Sequence, residues 1–200
     1  HPCVVGNTVG TIYRKELGSL LVRAITNRLQ ARQIRSNVSD AWFLSDKNHF
    51  VFTFSGTDKS GLLQQVSDLS NELECILKNG FTPEELDDAI KELSRTLKVD
   101  CSAQLSGKWC DDFVDYVISG DRYIQSEKEM RQLLEKIRST DSATLQKLLQ
   151  EWLSYKEQAL LVAYRNNTGK QNSIQKEDIL RAWEKGIRSP LKEFVYVPKE

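Results

Sequence analysis

The stretch Leu73-Glu74-Cys75-Ile76-Leu77-Lys78-Asn79-Gly80-Phe81-Thr82-Pro83-Glu84-Glu85-Leu86-Asp87-Asp88-Ala89 holds the end of one helix and the start of the next. Upstream, Leu62, Val66, Leu69, Leu73, Ile76 and Leu77 recur at the three-and-four spacing of a helix. Asn79-Gly80 closes that run, because glycine enters the left-handed conformation that ends helices without a steric cost. Thr82 then stands as N-cap and Pro83 occupies the first turn, where its missing N–H is not needed. Glu85, three residues after Thr82, can return a hydrogen bond and complete a capping box. Leu86, Ala89, Ile90, Leu93 and Leu97 supply the buried face of this second helix.

Working outward, Leu17, Leu20, Leu21, Ala24, Ile25 and Leu29 predict a first helix from Thr8 to Arg35 with one apolar stripe. The period then changes to two. Phe50, Phe52 and Phe54 share one face, and Asp46-Lys47-Asn48 suits a turn, so Val38 to Leu44 and His49 to Phe54 read as a β-hairpin. Gly56 to Gly61 lacks the spacing of a phosphate-binding loop and reads as a capped helix entry. Downstream, helices are expected at Ser106 to Ser119, Ser126 to Arg138, Ser142 to Leu153 and Ile174 to Gly186, the last on Ile179, Leu180 and Trp183. Gln158 to Tyr164 has the length and composition of a buried strand joining the hairpin, and Glu193 to Val197 is a short strand or extended tail. Val4-Val5 resembles the tail of a strand whose start is missing. Strands segregated from helices define an α+β class, an antiparallel sheet with helices packed on one face.

Bulk properties remove several functions. Lys+Arg and Asp+Glu each number 28, so no global field draws nucleic acid or an anionic membrane. No run approaches the roughly 20 apolar residues of a membrane span, and the first residues lack the pattern of a signal peptide. Cys3, Cys75, Cys101 and Cys110 form no Cys-x-x-Cys pair, which argues against a structural zinc site. Cys75 follows the apolar spacing of its helix, while Cys101 and Cys110 flank a turn and are either free thiols or a bridge.

The histidine count limits catalysis most. His1 and His49 are the only two, 48 positions apart, whereas a helical zinc-protease motif needs two on one helix face beside a carboxylate base. His49 reads as a strand or turn residue. No nucleophile elbow is present. Asp87-Asp88 and Asp111-Asp112 are adjacent pairs, whose side chains diverge by about 100° on a helix, and read as solvated faces. Arg28, Arg32 and Arg35 fall on one face of the first helix by spacing; they read as a solvated edge, with reception of a peptide carboxylate or partner domain as the alternative.

The helix ending in Gly80, followed by Thr82-Pro83-Glu84-Glu85-Leu86 with Ala89 and Lys91 close behind, resembles a recurrent junction of pitrilysin/insulinase-type zinc metallopeptidases. The element order is similar as well: a long helix carrying Arg28-Leu29, a hairpin, the two helices of the junction, further helices, then a strand like Ala159 to Tyr164. The resemblance spans residues 8 to 167. It implies a LuxS/MPP-like metallopeptidase domain over residues 1–167, with 168–200 a C-terminal helix and extended tail leading to the next domain. Such proteins pair repeated domains around a peptide chamber, and one domain alone carries the inverted motif His-x-x-Glu-His. This sequence lacks that motif, so the resemblance is to a non-catalytic partner domain.

By that resemblance, zinc is bound by another domain of the intact protein and none by this chain, the partners are the catalytic domain of the same chain and a peptide substrate, and the compartment is the periplasm. Family members often follow an Arg by a Tyr seven positions later to hold substrate; here Arg35 is followed at that distance by Trp42, which keeps the aromatic body and loses the hydroxyl. Arg35 and Trp42 are therefore weak substrate-binding candidates, with no catalytic and no metal-binding residue expected. The alternatives are a catalytically inactive peptide-binding or scaffold protein of the same fold, or an unrelated α+β interaction module.

Overall fold

A computed structural model describes residues 8–42, 48–55, 58–102, 110, 113, 114, 117, 127–155, 174–191 and 194–197. Helix α1 (Val9–Ala31) opens on Thr8, whose hydroxyl accepts from the Thr11 N–H at 3.2 Å. It stops before the expected Arg35. The Ile34 N–H returns to the Leu29 carbonyl at 2.9 Å and the Gln33 N–H to that of Gln30 at 3.0 Å, with Gln33 at φ 58°. Those two bonds are a Schellman closure. It turns the chain directly into strand β1 (Ser36–Trp42), so Arg35 is not helical.

Strand β2 (Asn48–Phe54) runs antiparallel to β1, with Ser36 opposite Phe54 and Trp42 opposite Asn48. In this register Val38 faces Phe52, and Phe50, Phe52 and Phe54 pack on the helical core. Helix α2 (Lys59–Asn79) is capped by Asp58, which accepts from the Gly61 N–H at 2.7 Å. It ends at Gly80, with φ 75° and ψ −164°. That region is open to glycine alone, and it is more extended than the left-handed cap expected there. Helix α3 (Pro83–Ser102) opens on the predicted capping box: Thr82 N–H donates to Glu85 at 2.8 Å, and Glu85 N–H to the Thr82 hydroxyl at 3.3 Å.

Helices α4 (Glu127–Arg138), α5 (Ser142–Ser154) and α6 (Lys176–Arg188) complete the described elements. The expected strand Gln158 to Tyr164 and most of the expected helix Ser106 to Ser119 lie outside the described residues. Helix α1 sits at the centre, touching α3, α4, α5 and β1. Its buried positions accordingly spread over Leu20, Leu21, Ala24, Ile25, Asn27, Arg28 and Leu29 instead of forming one stripe. Leu20, Leu21, Ile25 and Leu29 are each 0% exposed, and burying a side chain of this size contributes about 1.5–3 kcal/mol. The hairpin is tied to the helices by Phe50, whose ring lies 5.0 Å from that of Trp152 in an edge-on arrangement. The described protein is thus mostly helical, with a small two-stranded antiparallel sheet.

Helix α6 docks on α2, with Trp183 of its expected apolar set packed against the core and the closest approach made by small and polar residues. Ala182 and Gly186 are buried, while Leu180 faces outward. Ser70 donates to the Trp183 carbonyl at 2.9 Å, and the Asn71 amide donates to the carbonyls of Gly186, Ser189 and Pro190 at 3.0, 3.2 and 3.3 Å. Asn71 thereby donates to carbonyls at and just beyond the end of α6, where helix termini lack intrahelical partners. A β-carbon at Gly186 would lie 1.9 Å from the Ser70 hydroxyl and 2.1 Å from the Ser67 carbonyl oxygen. Gly186→Ala is expected to destabilise the protein by about 1–3 kcal/mol by forcing α6 off α2. Gln33→Gly, which removes the side chain from a left-handed position, is expected to stabilise it by up to about 1 kcal/mol. Urea unfolding midpoints of the two variants should move in opposite directions.

Candidate functional site

The three arginines assigned to one face of the first helix part company in the structure. Arg28 is 2% exposed, at the meeting point of α1, α2 and α3. Its Nε and one terminal nitrogen both donate to the Glu85 carboxylate, forming a two-pronged pair. Its Nη1 donates to Glu72 at 2.9 Å, and its Nη2 also reaches the Gly80 carbonyl at 3.3 Å. Arg32 pairs with the other oxygen of Glu72 at 2.9 Å. Phe194 lies flat against both cations, its ring centre 4.0 Å from Cζ of Arg28 and 4.7 Å from Cζ of Arg32.

This cluster corrects the reading of a solvated edge, and it leaves little for an incoming carboxylate to bind. Two guanidinium groups face two carboxylates, so the cluster is formally neutral and Arg28 is engaged on every nitrogen. Burial alone would lower the Arg28 pKa; hydrogen bonds and charge from Glu85, then Glu72, outweigh burial and raise it above the ordinary value. Its function is to hold elements together. Glu72 carried a legible signal: it falls in the three-and-four series of Leu69, Leu73 and Ile76, and a carboxylate on an apolar stripe demands a buried cation. Arg28 occupies the matching place in the series Leu21, Ala24 and Ile25.

Arg35 is exposed and immediately precedes β1, whereas Trp42 is the last residue of that strand. Seven residues of extended chain separate them by about 23 Å. The structure therefore places the two weak substrate-binding candidates at opposite ends of one strand. His49 is a residue of β2 opposite Ala41. Asp88, expected on a solvated face, is 13% exposed and accepts a hydrogen bond from the Tyr196 hydroxyl at 2.8 Å. Its neighbour Asp87 is 59% exposed, as expected, and Asp111-Asp112 lie outside the described residues. Cys75 is buried and Cys110 is an exposed free thiol, which excludes the bridge to Cys101 in this structure.

Among the described residues, no group of three His, Cys, Asp or Glu side chains is placed to hold a metal ion. A shallow open depression lies between the end of α2 and the start of α5, lined by Glu74, Asp141, Gln146 and Lys147. Its polar groups are engaged in structure: Asp141 caps α5 through the Thr144 N–H at 2.8 Å, and Gln146 donates to the Ile76 carbonyl at 3.2 Å. Hydrogen bonds from the Thr144 hydroxyl and N–H hold the Asp141 carboxyl below its usual range. Among the described residues, no helix is long and apolar enough to cross a membrane.

The arrangement is an α+β unit with a formally neutral ionic cluster at its centre. Its fold is similar to part of two solved structures of a periplasmic protease. One solved structure, the first half of the periplasmic protease PqqL from Escherichia coli, superposes with a TM-score of 0.78 over 98% of this chain and 44% of that one, at 19% identity. The structure of PqqL itself superposes with a TM-score of 0.76 over all of this chain and 23% of that one, at 17% identity. The chain thus spans less than half of the solved half-protein and about a quarter of the larger one. No protein-family profile matches the chain, and no curated protein matches it in sequence.

Removing the buried cation leaves Glu85 without its counter-charge. Arg28→Met is expected to cost about 3–5 kcal/mol, the range for breaking a buried pair from one side. Arg35→Ala is expected to stay within about 0.5 kcal/mol. Thermal and urea unfolding of both variants checks this, and similar small losses for the two would contradict the assignment.

Proposed function

We propose that this chain is a non-catalytic partner domain of a zinc metalloendopeptidase of the pitrilysin/insulinase type, with a LuxS/MPP-like fold, forming part of the wall of a peptide chamber. The observation that carries the reading is the superposition of nearly the whole chain on part of PqqL. The residue inventory supports the non-catalytic half: His1 and His49 are the only histidines, and His49 lies on the sheet. In this reading residues 1–167 are the partner domain and 168–200 lead to the next one. Zinc and its general base belong to another domain of the same polypeptide, and the protein works in the periplasm. The strand β1, with Arg35 before it and Trp42 at its end, contributes peptide contacts that are weak because Arg35 is exposed.

The alternative within the same fold is an inactive peptide-binding or scaffold protein. Two assays separate them. The intact polypeptide should hydrolyse unfolded or short peptides, lose that activity to a chelator and regain it with zinc, whereas the 200-residue chain alone should bind no stoichiometric zinc and cleave nothing. In the intact protein Arg35→Ala should raise KM up to about fivefold with kcat unchanged, as for a uniform exposed contact. Chelator-sensitive hydrolysis by the pure 200-residue chain would overturn the non-catalytic assignment, and an intact protein without activity would favour the scaffold.

A further inference from the structure

After α6, the described residues 189–191 and 194–197 make specific contacts with α1, α2 and α3. Asn71 of α2 fixes the carbonyls of Ser189 and Pro190. Four residues beyond Pro190, Phe194 covers Arg28 and Arg32 on α1. Two residues further, Tyr196, 9% exposed, donates its hydroxyl to Asp88 on α3. Val195 and Val197, at 85% and 77% exposed, point the other way. The alternation is that of an extended segment with one face seated and one in solvent.

We propose that residues 194–197 act as a strap that locks the α1–α3 junction, and that lifting the strap is a built-in conformational switch coupling the chain beyond Val197 to the buried Arg28 cluster. The two seated side chains use different physics on different helices. Phe194 excludes water from two cations with its ring face, which strengthens their pairing with Glu72 and Glu85 in a drier surrounding. Tyr196 supplies a directional bond to a largely buried carboxylate. Burial first, then that bond and the nearby charges of Asp88, Glu85 and Glu92, push the tyrosine pKa well above its ordinary value, so it stays a donor throughout the physiological range. Because both contacts sit within three residues, a pull on the following chain removes them together. Their loss admits water to Arg28 and removes the Tyr196 hydrogen bond from Asp88, loosening the end of α1 and the first turn of α3. The inference does not depend on the reading of function.

Hydrogen exchange on the 200-residue chain tests it, read at amides with known acceptors: Gln33 and Ile34 in the turn that closes α1 and Leu86 in the first turn of α3. Phe194→Ala and Tyr196→Phe should each speed exchange at these amides by about tenfold, while the middle of α5 changes less than twofold or so. Val195→Ser, on the outward face, should leave all of them unchanged. Tyr196→Phe keeps the ring and its packing, so it separates loss of the bond from loss of folding. Exchange unaltered at Gln33, Ile34 and Leu86 in both inward variants, or accelerated equally in every helix, would overturn the switch.

Discussion

A single buried guanidinium organises this fold. Arg28 joins α1 to α2 through Glu72, to the start of α3 through Glu85, and to the turn between them through the Gly80 carbonyl. Burying a charge costs several kcal/mol before compensation. Here the compensation is complete, with both carboxylates, the backbone carbonyl and the Phe194 ring converging on one side chain. Glu85 shows the economy of the arrangement, since one carboxylate closes the capping box of α3 and neutralises the buried cation.

How much of this was legible depended on whether the signal was local. The junction from Leu73 to Ala89 was readable because Gly80, Thr82, Pro83 and Glu85 act within a few residues of each other, and the structure bears out its cap. The hairpin was readable from the alternation of Phe50, Phe52 and Phe54, and the structure confirms their inward face. The end of α1 was not, because a glutamine takes the left-handed position that glycine or asparagine usually marks. Nor was the close crossing of α6 on α2: it needs small residues on both partners, and Ser67, Ser70 and Gly186 have meaning only once paired. The Arg28 cluster lay between these extremes, since each charge sat on an apolar series but its partners were 44 and 57 residues away. Arg35 and Trp42, paired by a spacing of seven, are separated by the length of the strand between them.

The likeness to PqqL at 17–19% identity establishes architecture and leaves chemistry to the side chains. The charged residues placed deepest are saturated by each other, and the hairpin rests on an aromatic and aliphatic layer that α1 and α5 present. The tail of the chain is held on α1 and α3 by Phe194 and Tyr196, so movement there would reach the same helices that the ionic cluster joins.

The coupling energy between Arg28 and Glu85 tests the central claim most directly. A double-mutant cycle with Arg28→Met, Glu85→Gln and the combined variant, followed by urea unfolding, should give a coupling of about 2–3 kcal/mol, the upper range for side chains in one network. A coupling below about 0.5 kcal/mol, the level expected of independent sites, would contradict it.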